Sequence, residues 1–287
     1  MGMLANRLRK NFRHRRKWAK RNQIECFRVY DHDIPEWGLS VDYLAGLACL
    51  RGGHEGHESA QKAIDEVSEG LDLDPQDCYG LELERPAREL VVEEGGHRFL
   101  LRLGQYRDYG LFLDHRSCRA LVGEQATGKR LLNLFCYTAS FTVYAAAARQ
   151  SLSLDLSSNY LDWAAQNFAL NGLGAQHHLE RADVLEWLAA PASQQFDIIV
   201  CDPPTFSNSK KMSASHFDVQ THHRFLIERC VERLAPGGWL LFSTNFRKFR
   251  LASELSERLP LEELSPASIP ADFRDQRVHR CWRFHQA

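Results

Sequence analysis

Three acids stand at the ends of three runs with strand character: Asp155 closes SLSLD, Asp183 follows HHLERA, and Asp202 follows FDIIVC. The third leads at once into Pro203, Pro204, Thr205 and Phe206, and then into small polar groups (SNSK). An earlier run, RLLNL, opens into Phe135, Cys136, Tyr137, Thr138, Ala139 and Ser140, a hydroxyl-bearing loop without glycine. Carboxylates in such places can accept hydroxyl or amine protons, and a proline pair stiffens a turn while removing backbone donors. The eight cysteines are scattered and none has C-x-x-C spacing. That spacing argues against a bound metal and against a disulfide framework; it suits reduced thiols in a cytoplasmic protein.

The elements that must hold these residues follow a regular rhythm from about residue 128. Runs with strand character (RLLNLFC, SLSLDL, HHLERA, FDIIVCD, WLLFST) alternate with helical segments (SFTVYAAAA, NYLDWAAQNFAL, VLEWLA, DVQTHHRFLIERCVERLA). Such alternation predicts an α/β fold with a doubly wound parallel sheet. Two late strands, near 261–264 and 277–285, predict the closing hairpin of a class I, Rossmann-like methyltransferase. Ligands of open α/β sheets bind at the carboxyl ends of the strands. There Asn133, Phe135, Tyr137, Thr138 and Ser140 follow the first strand, with Asp155 about 20 residues further on, a spacing suited to a ribose diol. A pyrophosphate needs glycines for close backbone approach, and this loop has none. The expected ligand is therefore an adenosine compound without phosphate, S-adenosylmethionine.

LLNLFCYTASFT, DLSSNYLDWAAQNFALNGL, CDPPTFSNSK and FDVQ together resemble the bacterial 23S ribosomal RNA guanine-N7 methyltransferases, which form the C-terminal half of a bifunctional large-subunit enzyme. The resemblance runs nearly end to end, from LANRLRKN (4–11) through GLFLDHR (110–116) to HRCW (279–282). It implies 23S rRNA or a large-subunit assembly intermediate as partner. It also implies a guanine-N2 methyltransferase half, fused or separate, as a companion. It gives Asp114 and Arg116 a place against the cofactor. Asp202, Pro203, Pro204 and Phe206 become the catalytic tip: in related amino-methylating enzymes the acid and a proline carbonyl hold an exocyclic amine, and Phe206 is placed to stack on a flipped base. The family has glycine where this chain has Ala139, and its turn before RQSLSLDL is two residues longer. If residue 139 needs a positive φ, alanine strains the loop by about 1 kcal/mol or more, and cofactor affinity is expected to fall.

Residues 1–22 carry nine Lys/Arg and no acid, so that a chain of net charge −1 holds −10 in the remainder. This segment predicts a basic helix with a sparse apolar stripe (Leu8, Phe12, Trp18). Arg7, Arg9, Lys10, Arg13, Arg15, Arg16, Lys17 and Lys20 become candidate RNA contacts, since an all-positive segment packs on protein only at an acidic patch. Residues 23–108 predict a small α/β accessory module, with strands at CFRVY and LSVDYLAGLACL, a helix at SAQKAIDEVSEGL, and a hairpin turning at Gly95-Gly96. RGGHEGHES (51–59) is expected to be a loop and no metal site. The methyltransferase domain is expected over 109–287. No apolar run is long enough to span a membrane. Cytosine-C5 methylation would need a cysteine after the prolines or at the fifth strand tip, where Thr205-Phe206 and Ser243-Thr244-Asn245 stand. Guanine-N2 methylation, or a non-catalytic RNA-binding assembly factor on the same fold, remain the alternatives.

Overall fold

The computed structural model describes residues 2–52, 57–80, 84–208 and 216–286. Residues 53–56 of the expected 51–59 loop, and Ser209 and Lys210 of the proline segment, lie outside them; of the rest of that loop, 51–52 end a strand and 57–59 begin a helix. The chain forms two compact units, one of residues 1–113 with 271–275, the other of 114–270 with 276–287. The first therefore includes the basic helix and ends a few residues beyond the expected 108.

In the first unit helix α1 (Met3–Arg21) packs with α2 (His57–Leu71) on a sheet of β1 (Cys26–Asp31), β2 (Leu39–Leu44), β3 (Leu47–Gly52) and β4 (Cys78–Gly80), in that order. A separate ribbon pairs β5 (Arg88–Glu94) with β6 (His97–Leu103) around Gly95-Gly96, both at positive φ. LSVDYLAGLACL is two strands, because Ala45 and Gly46 both take positive φ and turn the chain back. Leu4 and Leu8 are wholly buried with Phe27, Val29, Val41, Ile64 and Val67. Burying each leucine is worth about 1.5–3 kcal/mol. The helices approach closely because Gly70 has no side chain: a Cβ there would lie 2.9 Å from the Ala5 carbonyl oxygen.

The basic helix is thus a core element, seated on an acidic patch. Arg7 pairs with Asp33 at 2.9 Å, Arg9 donates to the Glu69 carbonyl at 3.0 Å, and Arg15 donates to the Arg28 carbonyl near Asp272, Asp33 and Asp31. Glu66 accepts the Ala5 N–H at 2.8 Å, placing a carboxylate where the helix dipole favours one. The exposed residues Lys10, Arg13, His14, Lys17, Lys20 and Arg21 recur at three- and four-residue spacing and share one face.

In the second unit a 3-10 turn (Leu113–His115, its first residue belonging to the first unit) precedes α3 (Arg116–Gln125). Then come β7 (Arg130–Leu134), α4 (Ser140–Tyr144), β8 (Gln150–Asp155), α5 (Ser158–Leu170), β9 (His177–Arg181), α6 (Val184–Ala189) and β10 (Phe196–Cys201). A two-residue ribbon, β11 (Phe206–Ser207) with β12 (Phe217–Asp218), leads to α7 (Val219–Val231) and β13 (Leu234–Thr244). The chain closes with α8 (Ser253–Arg258), β14 (Leu261–Glu263) and β15 (Arg280–His285). The sheet order is β14-β15-β13-β10-β7-β8-β9, parallel from β13 to β9, with β15 antiparallel to both its neighbours. This is the class I methyltransferase sheet. Helix α4 is shorter than SFTVYAAAA suggested; Ala145 leaves helical geometry and turns follow. Among the described residues no helix is long and apolar enough to cross a membrane.

Candidate active site

Strand register brings the chemistry together. Leu154, Leu134, Cys201 and Phe242 lie side by side across β8, β7, β10 and β13. The next residue of each strand is Asp155, Phe135, Asp202 and Ser243, so one row at the carboxyl edge carries two acids and a hydroxyl. Neighbouring strands are about 4.8 Å apart, which puts about 10 Å of backbone between Asp155 and Asp202, two strands away.

Asp155 organises the first loop. Its Oδ2 accepts the Tyr137 N–H and its Oδ1 the Ser157 N–H, both at 2.9 Å. Burial pushes its carboxyl above the ordinary value of 3.8, and these backbone donors only partly pull it back. A half-buried carboxylate short of solvation is a fitting acceptor for two ribose hydroxyls. The loop itself is strained: Phe135, Tyr137 and Ala139 sit at φ of 55, 52 and 56°. Each left-handed non-glycine residue costs about 1–2 kcal/mol, and such strain gathers where a ligand is held. Ala139 therefore occupies the conformation for which glycine is suited.

Asn133 and Thr138 support this loop from within. Asn133 is 1% exposed and donates to Thr142 Oγ1 at 3.0 Å, and Thr142 meets Ser153 Oγ at 2.8 Å, tying β7, α4 and β8 together. Thr138 is fully buried and its carbonyl accepts the Asn167 amide at 3.0 Å. Phe135, Tyr137 and Ser140 are half-buried, with Tyr137 packed edge-on against Tyr160 at 4.7 Å. Asp183 caps α6 by accepting the Leu185 N–H at 3.0 Å.

Two side-chain bonds fix the proline tip to the end of β13: Ser243 Oγ donates to Asp202 Oδ1, and Thr205 Oγ1 to Asn245 Oδ1, each at 2.6 Å. The Thr205 carbonyl accepts the Val219 N–H at 3.1 Å. Pro203 is buried and Pro204 exposed, and Phe206, on the short ribbon, is 53% exposed. The cysteines are buried, and burial pushes the Cys136 and Cys201 thiols well above their usual range.

Asp114 and Arg116 bracket a histidine that the sequence reading passed over. His115 Nε2 lies 3.5 Å from Asp202 Oδ2 and 3.7 Å from Asp114 Oδ2. The His115 ring stacks on that of His279 at 4.5 Å and 12°, and His279 contacts Asp114 at 3.0 Å and Ser268 at 2.9 Å. His279 reaches this edge because antiparallel β15 starts beside the end of β13, with Cys281 opposite Ser243. The LDHR and VHRC stretches contained both histidines, but only fold closure brings them together. Arg116 is buried at the start of α3. His115, Cys118 and His279 offer ligand atoms within 4.8 Å of one another. Nearly parallel imidazoles cannot both direct in-plane lone pairs to one point, and both His279 nitrogens already face oxygen, so the arrangement favours hydrogen bonding over metal ligation.

Residues 75–255 match the family model for S-adenosylmethionine-dependent methyltransferases. The chain belongs to that family. Its cofactor is S-adenosylmethionine, and the strained loop with the under-solvated Asp155 beside it fits an adenosine compound. A Neisseria meningitidis protein named ribosomal RNA large subunit methyltransferase K is 43% identical over 303 residues, covering 97% of this chain and 85% of its own length. The Pseudomonas entomophila protein named ribosomal RNA large subunit methyltransferase K/L is 43% identical over 309 residues, covering 98% of this chain and 41% of its own. The chain thus spans about two fifths of the K/L relatives it matches. A methyltransferase crystallised with S-adenosylhomocysteine superposes with a TM-score of 0.77 over 99% of this chain and 82% of its own, at 22% identity, a likeness of fold.

Proposed function

We propose that the chain transfers a methyl group from S-adenosylmethionine to N7 of a guanine in 23S ribosomal RNA, free or in a large-subunit assembly intermediate, with a guanine-N2 methyltransferase half as companion. The names of its relatives support the RNA class. The observation that carries the reading is the tip at 202–206: an acid and two prolines tied to β13 by two side-chain bonds, next to an exposed phenylalanine. A planar base swung from its stack would meet Phe206 on its face and Asp202 on its amine edge. When bound, S-adenosylmethionine supplies an electrophilic methyl carbon. N7 is already nucleophilic through its in-plane lone pair, so the chain needs no general base; its residues align the base and exclude water. Asp155 and Asp183 are the acceptors for adenosine, with Phe135, Tyr137 and Ser140 around them and Asp114 and Arg116 beside the cofactor. Asn133 and Thr138 act by shaping the loop.

RNA affinity comes from the exposed face of α1, Lys10, Arg13, Lys17, Lys20 and Arg21, with Arg16 on its flank. Arg7, Arg9 and Arg15 hold the helix to its own unit first. The buried thiols of Cys136 and Cys201, pushed up by burial, argue against either as a nucleophile and so against cytosine-C5 chemistry at these positions. The test is turnover of large-subunit RNA by single variants. Asp202→Ala is expected to lose most activity with its fold intact, while Cys136→Ser and Cys201→Ser retain a measurable rate. Full activity of Asp202→Ala would end the reading.

A further inference from the structure

Asp202 has two carboxylate oxygens, and the fold provides a partner for each. Oδ1 takes the Ser243 hydroxyl at 2.6 Å, while Oδ2 faces His115 Nε2 at 3.5 Å. His115 comes from the turn before α3, 5% exposed, and His279 from the start of β15, 1% exposed. Asp114 binds the second imidazole at 3.0 Å and approaches the first at 3.7 Å. Two buried imidazoles at a strand edge are costly unless their charge is answered. Here the answering charges are Asp114 and Asp202, and no step proposed above employs the histidines.

We propose that His115, braced by the His279–Asp114 pair, is a positioning residue for Asp202: with Ser243 it clamps the carboxylate so that the acid meets the substrate base in one orientation. This rests on the assignment of Asp202 to the base-gripping tip. An acid at the end of a strand can otherwise rotate about two side-chain torsions, and misplacement of about 1 Å costs on the order of 100-fold in rate. The groups facing His115 are Asp114, Asp202, His279 and Cys118, with Cys281 in contact with Cys118 at 3.8 Å. Burial alone would hold His115 neutral; Asp202 and Asp114 outweigh it and push the imidazole up to about 10. His279 rises too: burial and the His115 charge lower it, and its bond to Asp114 more than compensates. With its imidazole raised that far, His115 is an imidazolium beside Asp202 at neutral pH and loses its charge only in alkali.

The test is steady-state kinetics and S-adenosylmethionine binding by His115→Gln and Asp114→Asn on large-subunit RNA. His115→Gln is expected to lower kcat by roughly 10- to 100-fold with cofactor affinity preserved, and to remove the alkaline limb that loss of the imidazolium charge gives the wild-type kcat profile. In Asp114→Asn, His115 keeps one acid instead of two, so the alkaline limb moves to lower pH. A merely structural role would lower the rate and leave the alkaline limb where it was, and that result, or an unchanged kcat, overturns the proposal. If a variant fails to fold, 15N spectra of the histidines in the wild-type chain decide: His115 is expected to stay doubly protonated at pH of about 8, and a neutral ring overturns the proposal. Nucleoside analysis of the wild-type product separates the two readings. A product other than N7-methylguanosine refutes the target atom yet leaves the His115→Gln comparison interpretable.

Discussion

Replacing Asp155 by alanine removes acceptors from two backbone N–H groups, those of Tyr137 and Ser157, each bonded at 2.9 Å. The Tyr137 bond also holds a residue at φ 52°, so its loss frees the loop to relax out of the left-handed region. A charged hydrogen bond is worth about 1.5–3 kcal/mol, but Asp155 is half-buried and water can reach part of the gap. The free protein should therefore lose about 1–3 kcal/mol of stability, read as a lowered melting temperature. Cofactor binding should weaken by a further 1–3 kcal/mol or so, about 5- to 150-fold, because the ribose loses its acceptor and the loop its shape. The pH dependence gives an independent sign. The Asp155 carboxyl is raised by burial, and hydroxyl donors favour its ionised form, so binding is full above that raised value and falls as pH drops through it. Wild-type affinity should begin to fall at a pH above the ordinary carboxylate value of 3.8, and the alanine variant should lack that step. Calorimetric titrations with S-adenosylmethionine at a series of pH values measure both. Unchanged affinity in Asp155→Ala, or the same acid step in both proteins, would refute the assignment of Asp155 to the ribose.

Ala139→Gly should stabilise the second unit, since relief of about 1–2 kcal/mol of left-handed strain exceeds the 0.5–1 kcal/mol or so of extra chain entropy that glycine loses on folding. Cofactor affinity should rise with it; a lower melting temperature would show that the alanine conformation is unstrained. Exchange of Lys10, Arg13, Lys17, Lys20 and Arg21 for glutamine should flatten the salt dependence of RNA binding, by as much as about 0.7–0.9 in the log–log slope for each lost phosphate contact. An unaltered slope, with the chain still folded, would remove α1 from the RNA interface. Deletion of the whole segment tests something else, because it empties Leu4 and Leu8 from the core and should unfold the first unit.

The methyltransferase sheet was legible because strand-like runs alternate with helical ones from about residue 128, its central strands β7, β10 and β13 being rich in apolar residues, and the late strands near 261–264 and 277–285 marked its end. The row Asp155, Phe135, Asp202, Ser243 followed from that rhythm, since strand ends in a parallel sheet share an edge. Legibility failed where tertiary contacts decide. The charges of α1 read as a free basic arm because its acidic counterparts, Asp31, Asp33 and Asp272, are distant in sequence; a stripe containing Leu4 and Leu8 was the available signal for a packed helix. Asn133 read as a strand-tip ligand, though its side chain is spent on Thr142 beneath the loop. His115 and His279 are 164 positions apart, and only the antiparallel return of β15 makes them neighbours. Ala45-Gly46 carried a turn signal that the continuous apolar run around it concealed.

The central claim is that Asp202 and Phe206 grip a guanine for methylation at N7 without covalent attachment. Its most direct test is incubation of unmethylated large-subunit RNA with the chain and S-adenosylmethionine, followed by digestion to nucleosides and mass spectrometry. The account predicts N7-methylguanosine, formed at a rate that collapses in Asp202→Ala. N2-methylguanosine would contradict the target atom while keeping the grip, and 5-methylcytidine would contradict the mechanism itself.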